Sequence, residues 1–98
     1  MRPVEIEQQL IELIEQLSPI LQRSGVDSSN LQDLADHREW GVALDALIWA
    51  IEEHRLSITP EQYDKIGSLG AAMGMSPSSW QRINEQGLVQ TEPPANEA

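Results

Sequence analysis

From Glu39 to Glu53 the chain runs without proline, and apolar residues recur along it at steps of three and four. That period belongs to a helix, since a half-buried strand alternates every second residue. On a wheel of 100° per residue, Trp40, Ala43, Leu44, Leu47, Ile48 and Ile51 share one broad face, which reads as core. The opposite side carries Asp45, Trp49, Glu52 and Glu53. A tryptophan set against carboxylates and away from the core stripe has two readings. Either a second layer of the bundle covers it, or it is an aromatic anchor for a partner, a role in which Trp is enriched.

The flanking segments repeat the pattern. Pro3 suits the first turn of a helix, with Glu5 and Glu7 well placed at its positive end. Ile6, Leu10, Leu13, Ile14, Leu17, Ile20 and Leu21 follow in phase, opposed by Gln8, Gln9, Glu12, Glu15 and Gln16. Ser18-Pro19 interrupts the pattern, because proline lacks the backbone donor. Since Ile20 and Leu21 keep the earlier phase, we expect a kinked but continuous helix ending at Ser24-Gly25. Leu31, Leu34 and Ala35 mark a short second helix, with Gln32, Asp33 and Asp36 outward. Thr59-Pro60-Glu61-Gln62 combines cap, first-turn proline and capping-box partner. It opens a helix burying Tyr63, Ile66, Leu69, Gly70 and Met73, in which Gly67 and Gly70 permit close approach of a neighbour. Ser76-Pro77 starts a last helix carrying Trp80 and Ile83, and Gly87 stops it. The expected fold is all-α, a small single-domain bundle of about five helices over residues 1–89. Residues 90–98 lack periodicity and read as a disordered tail.

Several classes of chemistry find no support. Without cysteine there is no disulfide, thiolate metal site or cysteine nucleophile. His37 lies near Glu39, but the other histidine, His54, stands at the far end of the long helix, so no metal or cofactor is expected. The serines fall mostly at caps and turns, outside any nucleophile-elbow setting. Glu52 and Glu53 diverge by about 100° on a helix, whereas Asp45 and Glu52 share a face that reads as a solvated or partner-facing acidic strip. No enzymatic activity is expected. No stretch has the roughly 20 apolar residues of a membrane span. The N-terminus lacks the basic-then-apolar plan of a signal peptide, so the chain reads as cytoplasmic.

Sixteen acidic against six basic residues give a net charge of −10. That imbalance disfavours binding to nucleic acid, whose phosphates demand Lys and Arg. It suits either plain solubility or a basic protein partner.

The segment Glu39-Trp40-Gly41-Val42-Ala43-Leu44-Asp45-Ala46-Leu47 resembles the Glu-aromatic-Gly-aliphatic-Ala-Leu-acid segment of MafI-like immunity proteins. These are small helical antitoxins encoded beside polymorphic, contact-dependent bacterial toxins. The surrounding layout is similar over residues 4–75, including the Ile58-Thr59-Pro60-Glu61 helix start. The resemblance implies binding to one cognate toxin C-terminal domain, often a nuclease. Within the motif it implies packing roles for Gly41, Ala43, Leu44 and Leu47, with Gly41 admitting a neighbouring backbone and Glu39 capping or pairing locally. A nuclease site is basic, so the expected partner-binding residues are Asp33, Asp36, Asp45, Trp49, Glu52 and Glu53, with Asp27 adding to the same charge. The protein is expected as a monomer or weak homodimer. The alternative is an acidic adaptor or dimerisation domain in which the stripe of the first helix is an exposed seam.

Overall fold

The computed structural model describes residues 2–90. Five helices follow one another: α1 (Pro3–Arg23), α2 (Ser29–Asp36), α3 (Trp40–Glu53), α4 (Pro60–Ala72) and α5 (Ser78–Glu85). The fold is a small all-α single domain, as the periodicity predicts. α3 is the hub: among the described residues it alone packs against all four other helices. α2 touches α1 and α3, while α5 touches α3 and α4.

α1 runs unbroken through Pro19. Proline deprives the Glu15 carbonyl of its helical donor, but both residues face solvent, where water satisfies that carbonyl. Ser18 donates its hydroxyl proton to the Ile14 carbonyl (2.9 Å) and is hydrogen-bonded to the buried Ser28 hydroxyl (3.1 Å), pinning the start of α2 to α1. The stripe Ile6, Leu10, Leu13, Ile14, Leu17 and Leu21 is buried along its length. At about 2 kcal/mol per buried aliphatic side chain, it is a principal source of stability. An exposed dimer seam on α1 is therefore ruled out, because the stripe is already spent on the core.

All five helices end alike. In each, the residue after the C-cap has positive φ: Gly25 at 84°, Arg38 at 62°, Arg55 at 51°, Gly74 at 77° and Gly87 at 75°. The next residue then donates back to the third-last helical carbonyl: Val26 to Leu21, Glu39 to Leu34, Leu56 to Ile51, Met75 to Gly70 and Leu88 to Ile83. This is the Schellman arrangement. At three ends glycine takes the left-handed residue freely; at two an arginine holds it against a steric penalty.

α4 starts as its sequence predicts. The Gln62 amide donates to Thr59 Oγ1 (3.1 Å) and the Thr59 amide to Gln62 Oε1 (3.0 Å). Gly67 and Gly70 make room for Trp80 of α5. A Cβ on Gly70 would overlap Cζ3 of the indole and come within 2.7 Å of Cε3, while one on Gly67 would lie 3.2 Å from Nε1. Close approach is thus realised, the neighbour being a ring and not a backbone. Gly41 differs: it is exposed and a Cβ there meets nothing within 4 Å, so its expected packing role is corrected. Its place in the first turn of α3 faces it to solvent. Ala43, Leu44 and Leu47 are buried, and Glu39 makes no side-chain capping bond.

One pairing lies outside the helices. The Ile58 amide donates to the Leu88 carbonyl (2.9 Å) and the Gln90 amide to the Ile58 carbonyl (2.8 Å), an isolated parallel bridge of Ile58 with Val89. It fastens the segment after α5 to the α3–α4 connector. Gln90, placed by sequence at the start of the tail, belongs to this clasp; the rest of that tail, 91–98, lies outside the described residues.

Candidate functional site

The three tryptophans have three fates. Trp80 is 8% exposed in the core. Trp40 is half-buried, its Nε1 donating to the Ala35 carbonyl (3.1 Å) and to Glu7 Oε1 (3.3 Å), which ties α3 to α2 and α1. Trp49 is 61% exposed. Among the described residues no second layer covers it, so the bundle itself does not supply the first of its two readings.

Trp49 does not stand alone. Val42, seven residues earlier and so within about 20° on the helix surface, is 53% exposed. Asp45 and Glu53 flank the line from the exposed surface, with Ala46 half-buried beside them. The His54 ring meets the Trp49 indole edge-on, centroids 6.5 Å apart at an interplanar angle of 87°. An exposed Trp and Val in line on the hub helix form an apolar streak bordered by carboxylates.

Beside it α3 and α5 enclose a groove of about 240 Å³ lined by Asp45, Ile48, Trp49, Glu52, Ser79 and Arg82. Here the expectation for Glu52 needs correction. Its side chain is only 16% exposed and turns toward α5. Gln86 Nε2 donates to its Oε1 (3.2 Å), and Arg82 Nε lies 3.6 Å from the same oxygen. Its Oε2 is buried without a hydrogen-bond partner. Glu52 stands about 60° from Trp49 on the wheel, at the margin of the outward face, where a neighbouring helix decides which way it turns. The Arg82–Glu52 contact is the only ion pair among the described residues, so Asp45 and Glu53 keep their charge unpaired.

Of the six residues expected to bind a partner, Asp45, Trp49, Glu52 and Glu53 therefore gather on α3. Asp33 and Asp36 do not join them. Both lie on α2, which does not touch α5, and Asp33 lines a separate hollow of about 370 Å³ with Asn30, Leu34 and His37. Sequence reading missed Ser79, Arg82 and Gln86 as the second wall. Ser79 and Gln86, the C-cap residue of α5, are half-buried at the edge of the Ile83 face and Arg82 lies on the exposed side, polar positions that by themselves read as plain solvent exposure.

Among the described residues two groups titrate away from their ordinary values, and neither lines the groove. Asp27 is held below the usual carboxylate value by the Ser29 hydroxyl (2.7 Å) and, secondarily, the Ser29 amide (3.0 Å), both donating to Oδ1. Tyr63 is raised by burial first and then by the Glu85 and Asp64 charges. Among the described residues no three His, Cys, Asp or Glu side chains converge as metal ligands. No helix among them is long and apolar enough to cross a membrane. No protein-family model matches this chain, and no curated protein or solved structure matches it.

Proposed function

We propose that this chain is a binding protein with no reaction of its own, an immunity protein of the MafI-like kind that covers a basic toxin domain inside the producing cell. A nuclease domain suits it best, since a phosphate-holding site presents the positive surface that a protein of charge −10 complements. One observation carries the reading: Trp49 stands open on the hub helix, in line with Val42 and bordered by the unpaired Asp45 and Glu53. An exposed large aromatic costs solubility and contributes nothing to this core, while at an interface it is the commonest kind of anchor. The motif at 39–47 supplies the toxin context.

The test is co-expression with the C-terminal domain of the protein encoded immediately upstream of this gene, which the proposal requires to be toxic. Growth rescue by the wild-type chain, and its loss in Trp49→Ala, is the expected result. The purified complex should weaken by about 2 kcal/mol or more, roughly thirtyfold. Association should slow as salt rises. A toxic neighbour neutralised equally well by Trp49→Ala moves the interface elsewhere; absence of any toxic neighbour removes the immunity role and leaves an acidic adaptor using the same face.

A further inference from the structure

We infer that the groove between α3 and α5 receives one arginine side chain of the partner, its guanidinium set against the Trp49 indole and the Asp45 carboxylate. The inference rests on the docking role proposed for α3 and names the group that docks there.

The groove already shows what it accepts. It holds the Arg82 guanidinium, but loosely: Nε is 3.6 Å from Glu52 Oε1, beyond hydrogen-bond range, and the Arg82 side chain is 64% exposed. Asp45 lines the same groove without an ion pair, and among the described residues Glu52 Oε2 has no donor. A second cation is favoured by charge, and Arg82 is free to pivot because packing does not fix it. The size suits one side chain: at about 240 Å³ the groove is smaller than the roughly 300 Å³ at which small-molecule sites begin. Buried Ile48 gives it an apolar floor for a methylene stem.

Arginine fits better than lysine. A planar guanidinium stacks on an indole while presenting a fork of N–H donors to a carboxylate, whereas a hydrated ammonium does one or the other. Trp49 and Asp45 are one helical turn apart, so a single guanidinium reaches both.

The probes are acetyl-Gly-Arg-Gly-amide and acetyl-Gly-Lys-Gly-amide, titrated into the ¹⁵N-labelled full chain while the Trp49 indole and the backbone amides of α3 and α5 are followed. The arginine peptide should shift the groove resonances saturably, in the millimolar range, and the lysine peptide should bind about threefold more weakly. Asp45→Asn should weaken the arginine peptide by about threefold, and Arg82→Gln, which removes the competing cation, should strengthen it by a similar factor. The last result is one that a merely structural Arg82 would not give. Equal response to both peptides, a response centred on Asp33 and His37, or no saturable response overturns the inference. A toxin domain that needs Trp49 while the arginine peptide fails overturns the arginine alone and leaves the docking face standing.

Discussion

Replacing Gly70 by alanine pits two local effects of opposite sign against each other. Alanine in a helix interior is favoured over glycine by about 1 kcal/mol. Against that, the new Cβ would overlap Cζ3 of Trp80 and approach Cε3 to 2.7 Å and Cη2 to 3.1 Å. Carbon atoms rest about 3.5–4.0 Å apart, so the ring must retreat by roughly an ångström. Trp80 is 8% exposed and wedged between α4 and the core, and overpacking of such a site costs about 1–3 kcal/mol. Gly70 also supplies the carbonyl that closes the end of α4, accepting from Met75 at 2.8 Å, which limits how far its backbone can yield. An overlap this severe puts the cost in the upper part of that range, about 2–3 kcal/mol, so the clash wins with a net loss of about 1–2 kcal/mol. For a domain of this size that lowers Tm by about 5–15 °C. Gly67→Ala is the internal control: its Cβ is a few tenths of an ångström too close only to Nε1, at 3.2 Å, with Cε2 and Cδ1 in ordinary contact at 3.6 and 3.8 Å, so the propensity gain offsets the contact and stability changes little or rises. Urea unfolding followed by far-UV circular dichroism measures both, with the near-UV tryptophan signal reporting ring displacement in the first. In a Trp80→Leu background the Gly70→Ala penalty should shrink, since leucine leaves room. A Gly70→Ala variant as stable as the wild type, with an unchanged near-UV spectrum, would refute the packing argument.

The two arginines at left-handed helix ends give a second prediction: Arg38→Gly and Arg55→Gly should each stabilise the protein by about 1 kcal/mol, relieving the penalty at φ 62° and 51°; equal or lower stability in both would contradict it. Asp27 adds an acid-side linkage. Its folded form favours the carboxylate, so its contribution is full above the ordinary value of 3.8 and is lost as pH falls through the lower folded value. The stability gap between wild type and Asp27→Ala should therefore close on acidification. Tyr63 acts at the other extreme. Its folded form favours the neutral phenol, so its contribution is full below 10.0 and declines as pH rises through the higher folded value, a decline that Tyr63→Phe should lack.

Much of this architecture was legible because its signals are local. The i, i+3, i+4 spacing from Ile6 to Leu21 marks one buried face, and the Thr59–Gln62 box reports its own geometry. Ile20 and Leu21 holding phase past Pro19 indicated that α1 survives its proline. What escaped depends on pairs of elements. Glu52 reads as solvent-facing until α5 arrives beside it, and no pattern within α3 announces Arg82 and Gln86. Arg38 and Arg55 gave no sign of the left-handed backbone at those helix ends, since glycine is the usual flag for that conformation and was absent. The Ile58–Val89 bridge joins two short segments distant in sequence, each too brief to show strand alternation. The candidate site divided along the same line. The residues of α3 fell together because one helix carries them, while Asp33 and Asp36 were grouped by charge, and charge does not determine placement.

The clasp at Ile58 bears on the groove more than its two hydrogen bonds suggest. α5, only eight residues long, is far too short to persist unaided in water. Packing of Trp80 and Ile83 holds its body, and the Leu88–Gln90 segment moors its far end to the α3–α4 connector. Untying that mooring would let the helix unwind from its last turn, the end that carries Arg82 and Gln86. The face of α3 proposed to dock a partner would then lose its opposite bank while its own helix stayed intact, so hydrogen exchange at the Gln90 amide would serve as a gauge of how often the α3–α5 groove falls open.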